Sequence, residues 1–278
     1  MSSSVEHQMT EIYCFVDEFF KTHPRLAQWR HSPNACPHFS DAEVLTIALL
    51  QGVFEVATLK QTYRLVAQNW SRAFPQLPSY KQWLTRVHHL LSQVSGLLAT
   101  TCTQRWRAAR LYLIDSKPIP LCLPIRHARV RLLREEGAYF GKTSKGWFFG
   151  FKLHLLRHID GRVLNVVLTP GNYDDRVPAV DLVQVVDGGV TLGDLGYRGD
   201  DCATALAEDA DMLLITRDQA PAHRFVLSQV RQQIETTSSQ LWWRFVDRVF
   251  SRSWTGLWNT LQLKVLYYNL RHVGILSA

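Results

Sequence analysis

The segment GWFFGFKLHLLRHIDGRVLNVVLTP, residues 146–170, constrains the fold more than any other stretch. Two runs rich in β-branched and aromatic residues flank Asp160-Gly161, a type I′ turn signal, and together they predict an antiparallel hairpin. In the first arm Phe149, Phe151, Leu153 and Leu155 share one face, while Gly150, Lys152, His154 and His158 share the other. One face is therefore expected in a core and the other polar. Further strand-length apolar runs occur in RLYLID (110–115), GGVTLGDLGY (188–197) and DMLLITR (211–217). Between them PAVDLVQVV and DDCATALAEDA read as helices, the first with Asp175 as its expected cap and Pro178 in its first turn. A long helix holding RQQIETTSSQLWWRF (231–245) is expected next. This alternation predicts an α/β domain with a mixed sheet. Right-handed crossovers place VTLGD beside and parallel to RLYLID.

The preceding hundred residues lack strand alternation and read as helices. FSDAEVLTIALLQGVF opens with Ser40 and carries Glu43 three residues later, a capping-box pattern. LKQTYRLVAQNW and SYKQWLTRVHHLLSQVSGLLATTCTQRW predict two more helices, separated by the proline-marked turn FPQLPS. The expected organisation is a helical region over 1–106 and an α/β domain over 107–278. Within the latter, GLWNTLQLKVLYYNLRH (256–272) is expected to be a core-packing helix. The five cysteines are scattered and form no CxxC pair, which argues against a disulfide framework or a Cys-rich zinc site. No apolar run approaches the roughly 18 residues of a membrane span, and the N-terminus has no signal-peptide core, so a cytoplasmic location is expected.

Asp115 and Asp194 occupy matching places, each closing a short apolar strand just before a turn. In an open α/β sheet, ligands sit beyond the carboxyl ends of the strands. Two carboxylates on neighbouring strands, whose axes lie roughly 5 Å apart, repel unless a proton or a cation lies between them. Oxygen-only ligands suit Mg²⁺, with Mn²⁺ as a substitute. Glu235 borders the helical stripe Leu227, Val230, Ile234, Leu241 and Phe245 and is the expected third carboxylate. Arg231, one turn earlier, is placed to orient it or to hold a phosphate. A net charge of +7, with 31 Lys plus Arg and nine Trp, favours a nucleic-acid partner. Together these features suggest two-metal phosphodiester chemistry. Candidate DNA contacts are Arg126 and Arg129 in the arginine-rich RHARVRLLR, Lys142, and Lys152 and His154 on the polar hairpin face, which is otherwise a solvated face. Asp174 and Asp175 read as a turn and a helix cap. A zinc set drawn from Cys122, His127, His154 and His158 lacks the tight ligand pairs such sites use, apart from His154 and His158.

LIDSKPIPLC, GAYFGKTSKGWFFGFKLHLL, LTPGNYDD, TLGDLGYRG and RQQIETTSSQLWWRF, in that order over roughly Leu111 to Leu270, resemble the DDE transposases of bacterial insertion sequences. FSDAEVLTIALLQG and FPQLPSYKQW also look like that group's upstream region. The resemblance implies an RNase H-like catalytic domain with Asp115, Asp194 and Glu235 as its triad, all three holding Mg²⁺, and Arg231 as the arginine that precedes the glutamate. It implies hydrolysis at the element's terminal inverted repeats and 3′-hydroxyl attack on target DNA, with a homodimer in the DNA complex. Ser228 and Trp242 stand where some relatives carry Tyr and Lys around the glutamate, and Leu195 departs from the usual pattern after the second aspartate. Two other readings of the same residues are a different RNase H-like endonuclease and a DNA-binding regulator with an inactive catalytic fold.

Overall fold

Three capping boxes organise the helical part of the chain. The computed structural model describes residues 4–27, 38–103, 109–123, 126, 129–143, 146–216, 232, 236 and 251–277. The chain divides into two compact units, one of residues 1–101 with 253–278 and one of residues 102–252. In the first, α1 (Val5–Thr22) and the short α2 (Pro24–Ala27) precede α3 (Asp41–Val53), α4 (Leu59–Asn69), α5 (Tyr80–His89) and α6 (Leu91–Thr103). Ser40 with Glu43, Thr58 with Gln61 and Ser79 with Gln82 each exchange side-chain and backbone hydrogen bonds at a helix start, satisfying donors that the first turn leaves unpaired. The span expected as one helix over 79–106 breaks at Leu90, whose N–H is shared between the carbonyls of Arg86 and Val87.

Helix α9 (Trp254–His272) closes the same unit. The sequence reading grouped it with the α/β domain, yet it packs among the N-terminal helices. Gly52 of α3 lies so close to the Tyr267 ring that a Cβ there would sit 2.3 Å from it. Asn259 donates to the Val87 carbonyl at 3.4 Å, and Asn269 to Thr101 Oγ1 at 3.1 Å. The physical reason is visible in the helix itself. Leu257 and every residue from Asn259 to Leu270 are buried, so all its faces need cover, which a bundle supplies and one sheet face does not.

The second unit holds a six-stranded mixed sheet: β1 (Leu111–Pro120), β2 (Tyr139–Thr143), β3 (Gly146–His158), β4 (Val163–Pro170), β5 (Gly189–Gly193) and β6 (Met212–Thr216). The order is β2-β3-β1-β5-β6, with β4 also paired to β3. β5 runs parallel to β1 and to β6, as the crossovers require, and β3 is antiparallel to β1, β2 and β4. Helices α7 (Ala179–Val183) and α8 (Asp200–Ala210) cover one face around Tyr112, Ile114, Leu156, Leu182, Leu206 and Leu214. The architecture is the expected RNase H-like one, a mixed sheet flanked by helices after a helical N-terminal region. Three details differ from the sequence reading. The β3–β4 connection has positive φ at Gly161 but not at Asp160, so it is not the type I′ turn. The strand β2 was not foreseen. The β3 face carrying His154 is not solvated, because β3 is a central strand with α7 packed over that side.

Candidate active site

Asp115 does not end its strand. β1 continues through Pro120 because the thirteen-residue β3 offers it a ladder all the way, pairing Asp115 with Leu155 and Pro120 with Gly150. The partner that stops is β5, whose pairing with β1 ends at Leu113↔Leu192. Two residues beyond that last pair come Asp115, still within β1, and Asp194, just past the end of β5 at the start of a 3₁₀ turn. The sheet opens between β1 and β5 at this level, which is where an α/β sheet accepts ligands.

The two carboxylates are held alike. Asp115 Oδ1 accepts the N–H of Ser116 at 2.9 Å, and Asp194 Oδ1 accepts that of Leu195 at 2.6 Å. Asp194 also starts a 3₁₀ turn over Leu195–Tyr197. Lys117, on Asp115's face two residues along, places its ammonium 3.1 Å from Asp115 Oδ2. A cation therefore already meets the carboxylate oxygen that faces away from the backbone. Paired carboxylates with this donor set fit a hard divalent ion such as Mg²⁺. Glu235 and Arg231, the expected third ligand and its neighbour, lie outside the described residues; Gln232 and Thr236 of that segment are helical. Among the described residues no three acidic, His or Cys side chains form a metal-binding group.

A buried polar network lies behind the acids. Tyr197, 1% exposed, points its hydroxyl at His154 Nδ1, 3.4 Å away, and His154 Nε2 meets Thr169 Oγ1 at 2.8 Å. Burial holds the Tyr197 phenol protonated well above its ordinary range, and the negative charges of Asp175, Asp115 and Asp194 add to that. Burial also lowers the His154 pKa to about 4, with Lys152 reinforcing and Asp175 opposing the shift, so the imidazole is neutral at pH 7. His154 is fully buried and is not a DNA contact, contrary to the sequence reading. Lys152 is also turned inward, donating to Asp175 Oδ1 at 2.9 Å and to the Tyr173 carbonyl at 2.8 Å. Asp175 is thus a partner of Lys152 rather than the helix cap it was read as; α7 begins after Pro178 without a side-chain cap. Asp174 forms the expected turn, its pKa lowered to about 2 by Arg176.

The remaining basic candidates are exposed: Arg126, Arg129 and Lys142. Lys142 pairs across the β2–β3 hairpin with Trp147, which is 61% exposed, and its ammonium lies 5.7 Å from the indole centroid. Arg134 stacks over Phe149 on the same face. Sequence reasoning missed Lys117 and Tyr197. The first was hidden because SKP was read as a turn; had β1 been read as continuing, the i, i+2 spacing would have put Lys117 beside Asp115.

Residues 106–241 match the family model of the transposase DDE domain. This part of the chain is a DDE transposase domain. No curated protein and no solved structure matches the chain significantly. The domain supports a transposase-type activity that cuts DNA, and the family generally uses a divalent metal. Among the described residues no helix is long and apolar enough to cross a membrane.

Proposed function

We propose that the protein is the transposase of a bacterial insertion sequence, cutting at the element's terminal inverted repeats and joining the freed 3′-hydroxyl to target DNA. The observation that supports this reading is that β5 parts from β1 two residues before Asp115 and Asp194. Mg²⁺ (or Mn²⁺) held by Asp115, Asp194 and Glu235 would activate the attacking hydroxyl and offset charge on the phosphate. The chain's own part is positional. Backbone N–H groups pin one oxygen of each aspartate, and Lys117 balances Asp115 until the site is loaded. Arg126, Arg129, Lys142 and Arg231 hold phosphates along the DNA path. Strands from two ends must be handled together, which favours a homodimer in the DNA complex. The helical unit takes end recognition, working on DNA in the cytoplasm.

The test is an in vitro reaction with Mg²⁺ and DNA carrying the flanking repeats. Asp115→Asn is expected to abolish cleavage and strand transfer while end binding persists. Unaltered cleavage by that variant would sink the enzyme reading. Cleavage without strand transfer would point to another RNase H-like endonuclease, and end binding with no cleavage by the unmodified protein to a regulator.

A further inference from the structure

The turn that carries Asp194 is tied at two points to one face of β3, the same strand that pairs with β1 alongside Asp115. At the first point, Tyr197 at the end of the turn is buried against Tyr112, Ile114 and Leu156, and its hydroxyl faces His154 of β3, which itself pairs with Ser116 beside Asp115. At the second point, Lys152 of β3 binds Asp175, whose carboxylate lies beside the turn at Gly196: a Cβ there would sit 3.0 Å from Asp175 Oδ2. Lys152 also ties down the Tyr173 carbonyl, so the loop supporting Asp175 is fixed to the same strand. Both members of the Lys152–Asp175 pair are mostly buried, at 17% and 21% side-chain exposure, which makes the contact stiffer than a surface pair.

We propose that Asp175, held by Lys152 and backed by the His154–Tyr197 contact, is a positioning residue that keeps the Asp194 turn in register with Asp115. The inference rests on the metal-site reading of those two aspartates. Its chemistry is that of outer-shell partners, which orient ligands without touching the metal and whose loss costs about 10–100-fold in metal affinity or activity. A side chain at Gly196 would have to move the Asp175 carboxylate by a few tenths of an ångström. The position needs no positive φ, so the constraint there is space rather than backbone conformation.

The test compares the full-length protein with Asp175→Asn and Gly196→Ala. The first weakens the hold of Lys152; the second leaves that ion pair's chemistry intact and pushes the carboxylate off the turn. Cleavage is measured against Mg²⁺ concentration, and Mn²⁺ binding is followed separately as the rise in melting temperature it produces. Both variants are expected to need about ten-fold more Mg²⁺ for half-maximal cleavage, to approach the unmodified rate at saturating metal, and to show a Mn²⁺-induced melting shift displaced to higher concentration. Metal dependence unchanged in both variants overturns the proposal, as does a loss of rate that saturating metal does not restore. Asp115→Asn separates the positioning role from the metal site itself. If the unmodified protein shows a Mn²⁺ shift that Asp115→Asn removes while Asp175→Asn and Gly196→Ala leave it in place, the positioning role fails and the metal site stands. If the unmodified protein shows no shift, the metal-site reading falls and takes the positioning role with it.

Discussion

Lys142 and Trp147 offer a geometric prediction about where DNA runs. They face each other across the β2–β3 hairpin, and alternation along β3 puts Trp147, Phe149, Phe151, Leu153 and Leu155 on one face. Leu155 is the partner of Asp115, so the hairpin tip and Asp115 share that face. Trp147 lies eight residues before Leu155, and at about 3.3 Å per residue this spans about 26 Å. Duplex DNA rises about 3.4 Å per base pair, so the tip should meet the backbone about seven to eight base pairs from the scissile phosphate. Replacing both residues, Lys142→Ala with Trp147→Ala, should remove hydroxyl-radical protection at that distance while leaving protection around the cut intact. The slope of log affinity against log salt should fall by about 0.9, the share of one phosphate contact. Trimming the duplex to five base pairs beyond the cut should make the double variant and the unmodified protein bind equally. Protection that stays in place at seven to eight base pairs, or a salt slope that does not move, would refute the shared-face argument.

Other outcomes follow from buried groups. Lys264 is buried, its Nζ has no hydrogen-bond partner among the described residues, and burial lowers its pKa to about 8. A lysine depressed in this way destabilises the fold at pH 7 and recovers stability as pH rises from 8 towards 10.5. Lys264→Met should therefore raise stability at pH 7 by about 3 kcal/mol in denaturant melts, with the gain shrinking by pH 10. His154 stays neutral down to about pH 4, so its share of stability is whole above pH 6.5 and is lost as pH falls from there towards 4, where the unfolded chain takes up the proton first. The stability difference between the unmodified protein and His154→Gln should shrink by about 2 kcal/mol between pH 7 and pH 4.5, read from urea midpoints. Gly52→Ala would drive a methyl into the Tyr267 ring and should cost about 1–3 kcal/mol by the same assay.

Much of this protein is legible in its sequence because the carriers are local. Helix starts at Ser40, Thr58 and Ser79 are written in residues three apart, and the β3–β4 hairpin in the period of its apolar side chains. The parallel pairing of the Asp194 strand with the Asp115 strand follows from connection handedness, which any right-handed crossover obeys. What the tertiary structure alone decided is which neighbours each strand has and how far they run. β1 passes beyond Asp115 only because β3 is long enough to pair with it, and that extension is what sets Lys117 against the Asp115 carboxylate. Likewise His154 and Lys152 look solvent-facing by alternation, yet packing over a central strand buries one and turns the other onto Asp175. Periodicity records which side of a strand a residue occupies. It does not record what covers that side, because the cover comes from segments remote along the chain.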